Sequence, residues 1–328
     1  MKAPGFWTEE GITATLLSPV GALFGVFGRW RWRFASPVRA GIPVVCVGNL
    51  VAGGAGKTPV ALSFAALLQQ KGHATHFLSR GYGGTIRGPH RVDRRCDSPT
   101  TVGDEALLLA VVSPTWVSVD RVAGVRAAAQ AGAEIVVMDD GFQNPSIGKD
   151  FSIIVISDEQ EFGNKRVMPS GPLRESIRRG FSRTNVVVVI GQISSKLQDL
   201  IPPKIPIFKA IFEIKKYNEI FKGKNVTAFA GIAYPNKFFK TLEDQGAKVI
   251  EKISYPDHYI YNENDLLSLA ETANKTKSIL VSTQKDYIRI PKSYRSLVNT
   301  LEGEIIFKNE ELLIEILSNV IENYILVQ

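Results

Sequence analysis

Gly53, Gly54, Ala55, Gly56, Lys57 and Thr58 carry the clearest chemistry in this chain. In a glycine-rich turn, backbone N–H groups can point inward together. The start of a following helix adds unpaired donors and a partial positive charge. Both favour a polyphosphate. At such a turn a lysine reaches the outer phosphates and a threonine hydroxyl serves Mg2+. Lys57 and Thr58 stand in those places. The apolar run 42–47 before the turn reads as a buried strand, and 60–70 after it as a helix. Strand, glycine-rich turn, Gly-Lys-Thr and helix is the layout of a phosphate-binding P-loop. The full pattern also asks for glycine six residues before Lys57, where this chain has Val51.

Asp139 and Asp140 follow the apolar run 135–138. A carboxylate at the C-terminal end of a strand beside a P-loop holds Mg2+ directly or through water. Adjacent carboxylates repel unless a cation offsets them. A simple strand-end turn would use the same residues; the P-loop upstream favours the metal reading. Asp104, in Gly103-Asp104-Glu105, opens a predicted helix. Acidic residues suit a first helical turn and need no further reason there. One oriented carboxylate is also a sufficient base for phosphoryl transfer. His258 is one of four histidines and stands in a polar turn between Asp257 and Tyr259. It is either an exposed loop residue or a ring tuned by a nearby carboxylate. The loop 163–175 is studded with Gly, Pro and Arg. Its Arg166 and Arg174 could grip a phosphate through two parallel hydrogen bonds, or simply be solvated.

The elements that must position these residues alternate along the first two-thirds of the chain. Strand-like runs fall at 74–78, 116–119, 135–138, 152–156 and 186–190, with helical stretches at 104–112 and 121–131. This predicts an α/β fold: a P-loop NTPase-type parallel sheet with helices on both faces. Between 192 and 224 the composition shifts towards Lys, Ile and Pro, including Pro202-Pro203 and Lys215-Lys216. A second, smaller α/β unit is expected after it. It starts near 226–231, with strands predicted at 248–252 and 278–282 and helices at 236–245, 262–273 and 309–324.

At 328 residues and 45% apolar, the chain has room for one large or two ordinary cores. The formal charge of +7 suggests anionic partners, and the arginines fall in scattered clusters. The two cysteines, Cys46 and Cys96, suggest no disulfide framework and a reducing compartment. Residues 11–28 are uncharged and precede Arg29-Trp30-Arg31-Trp32-Arg33. The positive charge follows the apolar run, unlike a signal peptide, and the run is short for a spanning helix. Two readings remain open: a helix lying in a membrane interface, or an amphipathic helix packed on the protein.

The ordered set of motifs resembles the tetraacyldisaccharide 4′-kinase family of lipid A biosynthesis. The matching segments are Val47-Gly48-Asn49-Leu50, Gly53 to Pro59, Leu78-Ser79-Arg80-Gly81-Tyr82-Gly83, Val102-Gly103-Asp104-Glu105 and Asp139-Asp140-Gly141-Phe142-Gln143. They continue with Gly163-Asn164, Arg166 to Glu175, Ala228-Phe229-Ala230-Gly231-Ile232, Pro256-Asp257-His258 and Thr283-Gln284-Lys285-Asp286. Val51 also resembles the family, which does not keep the first P-loop glycine. Asn144, Lys165, Tyr259, Gln284 and Ala106 depart from its common pattern.

The resemblance implies transfer of the γ-phosphate of ATP to the 4′-hydroxyl of tetraacyldisaccharide 1-phosphate, giving lipid IVA. The cofactors implied are ATP and Mg2+. Asp104 is implied as catalytic base with His258 as its partner, and Thr58, Asp139 and Asp140 as the Mg2+ residues. Arg80, Asn164, Arg166 and Arg174 are candidate substrate contacts. The expected division is a membrane-interface segment at 1–34, a P-loop kinase domain at 35–208 and a smaller domain with the C-terminal helix at 209–328. The resemblance places the protein on the cytoplasmic face of the inner membrane, peripheral or monotopic, and it tips the N-terminal question towards membrane contact. No obligate protein partner is expected.

Three rival readings are weaker. A P-loop GTPase or metallochaperone needs a guanine-reading Asn/Thr-Lys-x-Asp, and Thr283-Gln284-Lys285-Asp286 puts its lysine one residue late. A kinase or ligase for soluble small molecules has no use for the amphipathic N-terminus. A nucleic-acid binder lacks a recognition motif beside its basic residues.

Overall fold

The computed structural model describes residues 4–215 and 220–326. Among these, the strands are β1 (Val44–Gly48), β2 (Thr75–Ser79), β3 (His90–Arg91), β4 (Thr115–Val117), β5 (Ile135–Asp139), β6 (Phe151–Ser157) and β7 (Val186–Ile190). They continue as β8 (Ile207–Ile214), β9 (Asn225–Ala230), β10 (Lys248–Ser254), β11 (Ile279–Thr283), β12 (Val298–Leu301) and β13 (Gly303–Phe307).

The larger sheet has the order β13-β8-β7-β6-β1-β5-β2-β4-β3. Its centre is parallel, with β1 between β5 and β6. These central strands are apolar end to end because helices cover both faces. Helix Lys57–Gln70 buries Val60, Ala61, Phe64 and Leu68 on one face. Helix Arg121–Gln130 buries Val125 and Ala128 on the other. The smaller sheet, β10-β9-β11-β12, is parallel throughout. Phe238, Phe239 and Leu242 of helix Pro235–Asp244 cover one face. Leu266, Leu269 and Ala273 of helix Glu263–Lys275 cover the other.

The structure refines several expectations. The large sheet is mixed, since β3 and β13 run antiparallel to β4 and β8. The boundary expected at 208/209 falls inside β8, which pairs with β7. After the smaller sheet the chain returns, and β13 extends the large sheet. Ile305, Phe307 and then Leu313, Leu317 and Ile321 of helix Glu310–Leu326 join the large sheet's core. The apolar face of that last helix finds its complement on the first unit, against helix Lys57–Gln70, so the C-terminal helix does not belong to the second unit. Part of the anticipated passage between units, 216–219, lies outside the described residues. The helix expected over 104–112 ends at Leu109.

The N-terminal run forms two helices, Ile12–Leu16 and Ser18–Arg33, that meet at Leu17. They touch the protein through small residues. Ala14 is fully buried, and a Cβ on Gly21 would lie 2.6 Å from the Val167 carbonyl oxygen. Ile12, Leu16, Val20, Leu23, Phe24, Phe27 and Trp30 recur at helical spacing and are exposed.

Candidate active site

Two clusters of charged side chains form here, close enough for the charge of Glu105, next to Asp104, to act on Asp139. The first is built on β1, β5 and the start of helix Lys57–Gln70. Gly56 caps that helix with φ 79°, and a Cβ there would lie 2.4 Å from Ile190 Cδ1. Glycine alone therefore lets the turn close against β7. Lys57 and Thr58 follow in the first helical turn, both buried. The Thr58 hydroxyl donates to Asp139 Oδ2 at 2.8 Å. The other oxygen, Asp139 Oδ1, is buried with no partner from the protein. Burial, with the charge of Glu105 next, pushes the Asp139 carboxyl up to about 7. A half-satisfied buried carboxylate beside a threonine hydroxyl fits a divalent cation, so Thr58 and Asp139 suit Mg2+.

Asp140 follows directly and meets different partners. Its φ of 54° turns the chain out of β5. Its carboxylate receives Arg174 at 2.7 and 3.1 Å, and Lys57 Nζ lies 3.8 Å away. Burial works against its ionisation, but Lys57 and Arg174 together hold it below the usual carboxylate value. The loop that carries Arg174 lies along the P-loop. Ala52 N–H donates to Pro172 O at 2.8 Å, Arg174 N–H donates to Leu50 O at 2.8 Å, and Val51 pairs with Leu173. Val51 is buried in that pairing, which gives the missing glycine a structural reason.

The second cluster centres on Asp104, at the start of helix Asp104–Leu109. Gly103 precedes it at φ 86°, with a hypothetical Cβ 2.5 Å from the Tyr82 carbonyl oxygen. The backbones of the two loops thus pack directly, which aims Asp104 towards the smaller sheet. There Asp104 Oδ2 meets His258 Nδ1 at 3.1 Å and Arg289 Nε at 2.8 Å, and Arg289 Nη2 also donates to it. Asp104 Oδ1 accepts the Glu105 N–H at 3.0 Å. Burial alone would raise the Asp104 carboxyl, but the His258 hydrogen bond and the charges of Lys285 and Arg289 hold it well below the usual range. Arg289 Nη2 also lies 3.3 Å from His258 Nδ1, so the three side chains meet at one point. His258 adopts φ 62°, and its N–H donates to Gly231 O at 3.1 Å. Lys285 Nζ lies 3.6 Å from Glu105 Oε1, so a second charge pair spans the two units.

The remaining candidates separate. Arg80 is exposed after β2 and lies close enough to the buried Arg121 to disfavour its charge. Asn164 and Arg166, expected at the substrate, hold the N-terminal segment. Asn164 Nδ2 donates to Phe6 O at 2.9 Å and its N–H to Trp7 O at 2.8 Å. Arg166 reaches Ala14 O and Thr15 Oγ1, each at 3.4 Å, and Ser18 Oγ. The carbonyls at the end of a short helix lack intrahelical partners, and a guanidinium supplies donors for them. Sequence reasoning missed Arg289. Its one local signal is the spacing from Asp286, three residues earlier on helix Gln284–Arg289.

A P-loop, a carboxylate at the end of the neighbouring strand and a base-like carboxylate held from a second α/β unit define a phosphotransferase of the P-loop class. A family profile described as tetraacyldisaccharide-1-P 4′-kinase (LpxK) matches residues 13–322. The chain belongs to that family. It is 46% identical over 311 residues to the tetraacyldisaccharide 4′-kinase of Rhodospirillum rubrum, covering 94% of each chain. It is 41% identical over 324 residues to that of Rhodospirillum centenum, covering 97% of this chain and 96% of the relative. A crystal structure of LpxK from Aquifex aeolicus in complex with ATP superposes with a TM-score of 0.76 at 26% identity, covering 94% of this chain and all of the other.

Proposed function

We propose that this protein transfers the γ-phosphate of ATP to the 4′-hydroxyl of tetraacyldisaccharide 1-phosphate, giving lipid IVA. The observation that carries the reading is the contact of Asp104 with His258 opposite a complete Gly-Lys-Thr phosphate loop. Gly53, Gly54, Ala55 and Gly56 would cradle the phosphates, with Lys57 on the outer ones. Thr58 and Asp139 would hold Mg2+, which when bound neutralises phosphate oxygens. Asp140 keeps Lys57 and Arg174 in place. Asp104 takes the proton of the acceptor hydroxyl, and His258 orients it.

The acceptor is a lipid, and the N-terminal helices suit work at a membrane surface. Among the described residues no helix is long and apolar enough to cross a membrane. The exposed apolar face from Ile12 to Trp30, followed by Arg31 and Arg33, supports an interfacial anchor instead. On this reading 1–34 is the membrane segment, and the enzyme is peripheral on the cytoplasmic face of the inner membrane. The large sheet with its returning C-terminal strand and helix forms the kinase unit, and the smaller sheet carries His258.

The test is a reaction of purified protein with ATP-Mg and the disaccharide 1-phosphate in detergent. The expected product gains one phosphate by mass, at the 4′ position. No turnover with this acceptor, alongside phosphorylation of a soluble sugar, would remove the lipid assignment.

A further inference from the structure

The buried guanidinium of Arg289 is the feature that the reaction described so far leaves without a role. It has no exposed surface in its side chain and spans the two units. On its own side, Arg289 Nη1 donates to Gly231 O at 2.7 Å and to Asp286 Oδ1 at 3.2 Å. Asp286 is already well satisfied. It accepts the Gly231 N–H at 2.9 Å, the Tyr261 hydroxyl at 3.0 Å and the Thr283 hydroxyl at 2.7 Å. Arg289 is thus anchored in a fully hydrogen-bonded frame.

Its other two nitrogens, Nε and Nη2, both donate to Asp104 Oδ2, and Nη2 also lies 3.3 Å from His258 Nδ1. Arginine–carboxylate pairs are frequently bidentate, with two parallel N–H···O bonds, one to each oxygen. Here Arg289 and His258 converge on one oxygen, and Oδ1 keeps only the N–H of the next residue. The smaller unit thereby takes up one oxygen of the carboxylate, and the other keeps a single backbone donor among the described residues.

We propose that Arg289 is a positioning residue for the phosphoryl transfer, holding Asp104 by Oδ2 so that Oδ1 receives the acceptor proton. The inference rests on the reading of Asp104 as the base. The acceptor hydroxyl gives its proton to Asp104 Oδ1 while its oxygen forms the bond to the γ-phosphorus. The bond from that phosphorus to the β,γ-bridging oxygen breaks, and its electron pair leaves with ADP. Because Arg289 comes from the smaller unit, the base is correctly aimed only when the two units are docked.

The test is a double-mutant cycle on kcat, with ATP affinity measured separately. Arg289→Ala is expected to lower kcat about 100-fold, the scale of a misaimed catalytic group, with ATP affinity changed less than about twofold. Arg289→Lys keeps the charge but not the two-donor geometry, and is expected to recover about tenfold of that loss. In an Asp104→Ala background, removing Arg289 is expected to change kcat less than about twofold, because Arg289 and the His258 ring beside it both act on the reaction through that carboxylate. If thermal melting shows Arg289→Ala unfolded, Arg289→Lys replaces it in the cycle, with the same non-additivity expected. Losses that multiply in the double variant, or wild-type kcat in the single one, overturn the inference alone. A wild-type protein inactive on the acceptor overturns the functional reading and this inference with it.

Discussion

Val51 pairs with Leu173 across an isolated antiparallel bridge, and both side chains are buried. This bridge joins the P-loop to the loop that carries Arg174. The same loop, nearer its start, holds the N-terminal segment, Asn164 at Phe6 and Arg166 at the first helix. One segment therefore touches both the nucleotide end of the site and the proposed membrane anchor. Leu173→Ala is expected to cost about 2–5 kcal/mol, the range for a buried leucine whose site cannot collapse. Urea unfolding measures it. The same variant should raise KM for ATP, because Arg174 and Asp140 lose their backing.

Asp104→Ala is expected to lower kcat by about 100-fold or more while ATP still binds, since the base acts in the transition state. Its pH behaviour is specific. The folded carboxyl titrates below the unfolded value of about 3.9. The unfolded chain therefore binds the proton first as pH falls, and the stabilisation from the ionised group is present above about pH 4 and lost below it. The difference in melting temperature between wild type and Asp104→Asn should stay level from pH 8 to pH 5. It should then narrow as the pH drops through the folded value. A gap that already closes near pH 6 would contradict the ion pair with Arg289.

Asp139 and Asp140 should separate in a Mg2+ titration. Asp139→Asn removes the carboxylate paired with Thr58 and should raise the Mg2+ concentration for half-maximal rate by at least about tenfold. Asp140→Asn instead releases Lys57 and Arg174, and should raise KM for ATP with less change in Mg2+ demand. Equal Mg2+ responses in the two variants would remove the division of labour.

Leu23→Asp combined with Phe27→Asp should weaken binding to anionic vesicles. Both side chains are more than 60% exposed, so no buried packing is lost and the melting temperature should stay within a degree or two of wild type. Sedimentation with vesicles measures the first effect. Unchanged sedimentation would leave the exposed apolar face without its proposed role.

Much of the nucleotide end was legible in the chain. A glycine-rich turn, a lysine, a threonine and a helix are neighbours in sequence because the P-loop is a local backbone conformation. Asp139 and Asp140 were readable for a similar reason, as the polar end of an apolar strand. The resemblance supplied the pairing of Asp104 with His258, which spacing alone did not suggest. Two candidates sit apart from these clusters. Arg166 and Asn164 sit in a loop whose composition suits phosphate, yet the groups nearest them are backbone carbonyls and hydroxyls of the N-terminal segment.

The sequence by itself determined the phosphate loop, the strand-end carboxylates and the alternation that makes a covered sheet. These follow from short-range backbone geometry and from the burial of continuous apolar runs. The tertiary structure decided that β13 and the last helix return to the first unit, and that Val51 is a pairing residue. It also decided that one oxygen of Asp104 is taken by an arginine 185 residues away. Such contacts depend on where the chain comes back to itself, and local residue patterns do not encode that.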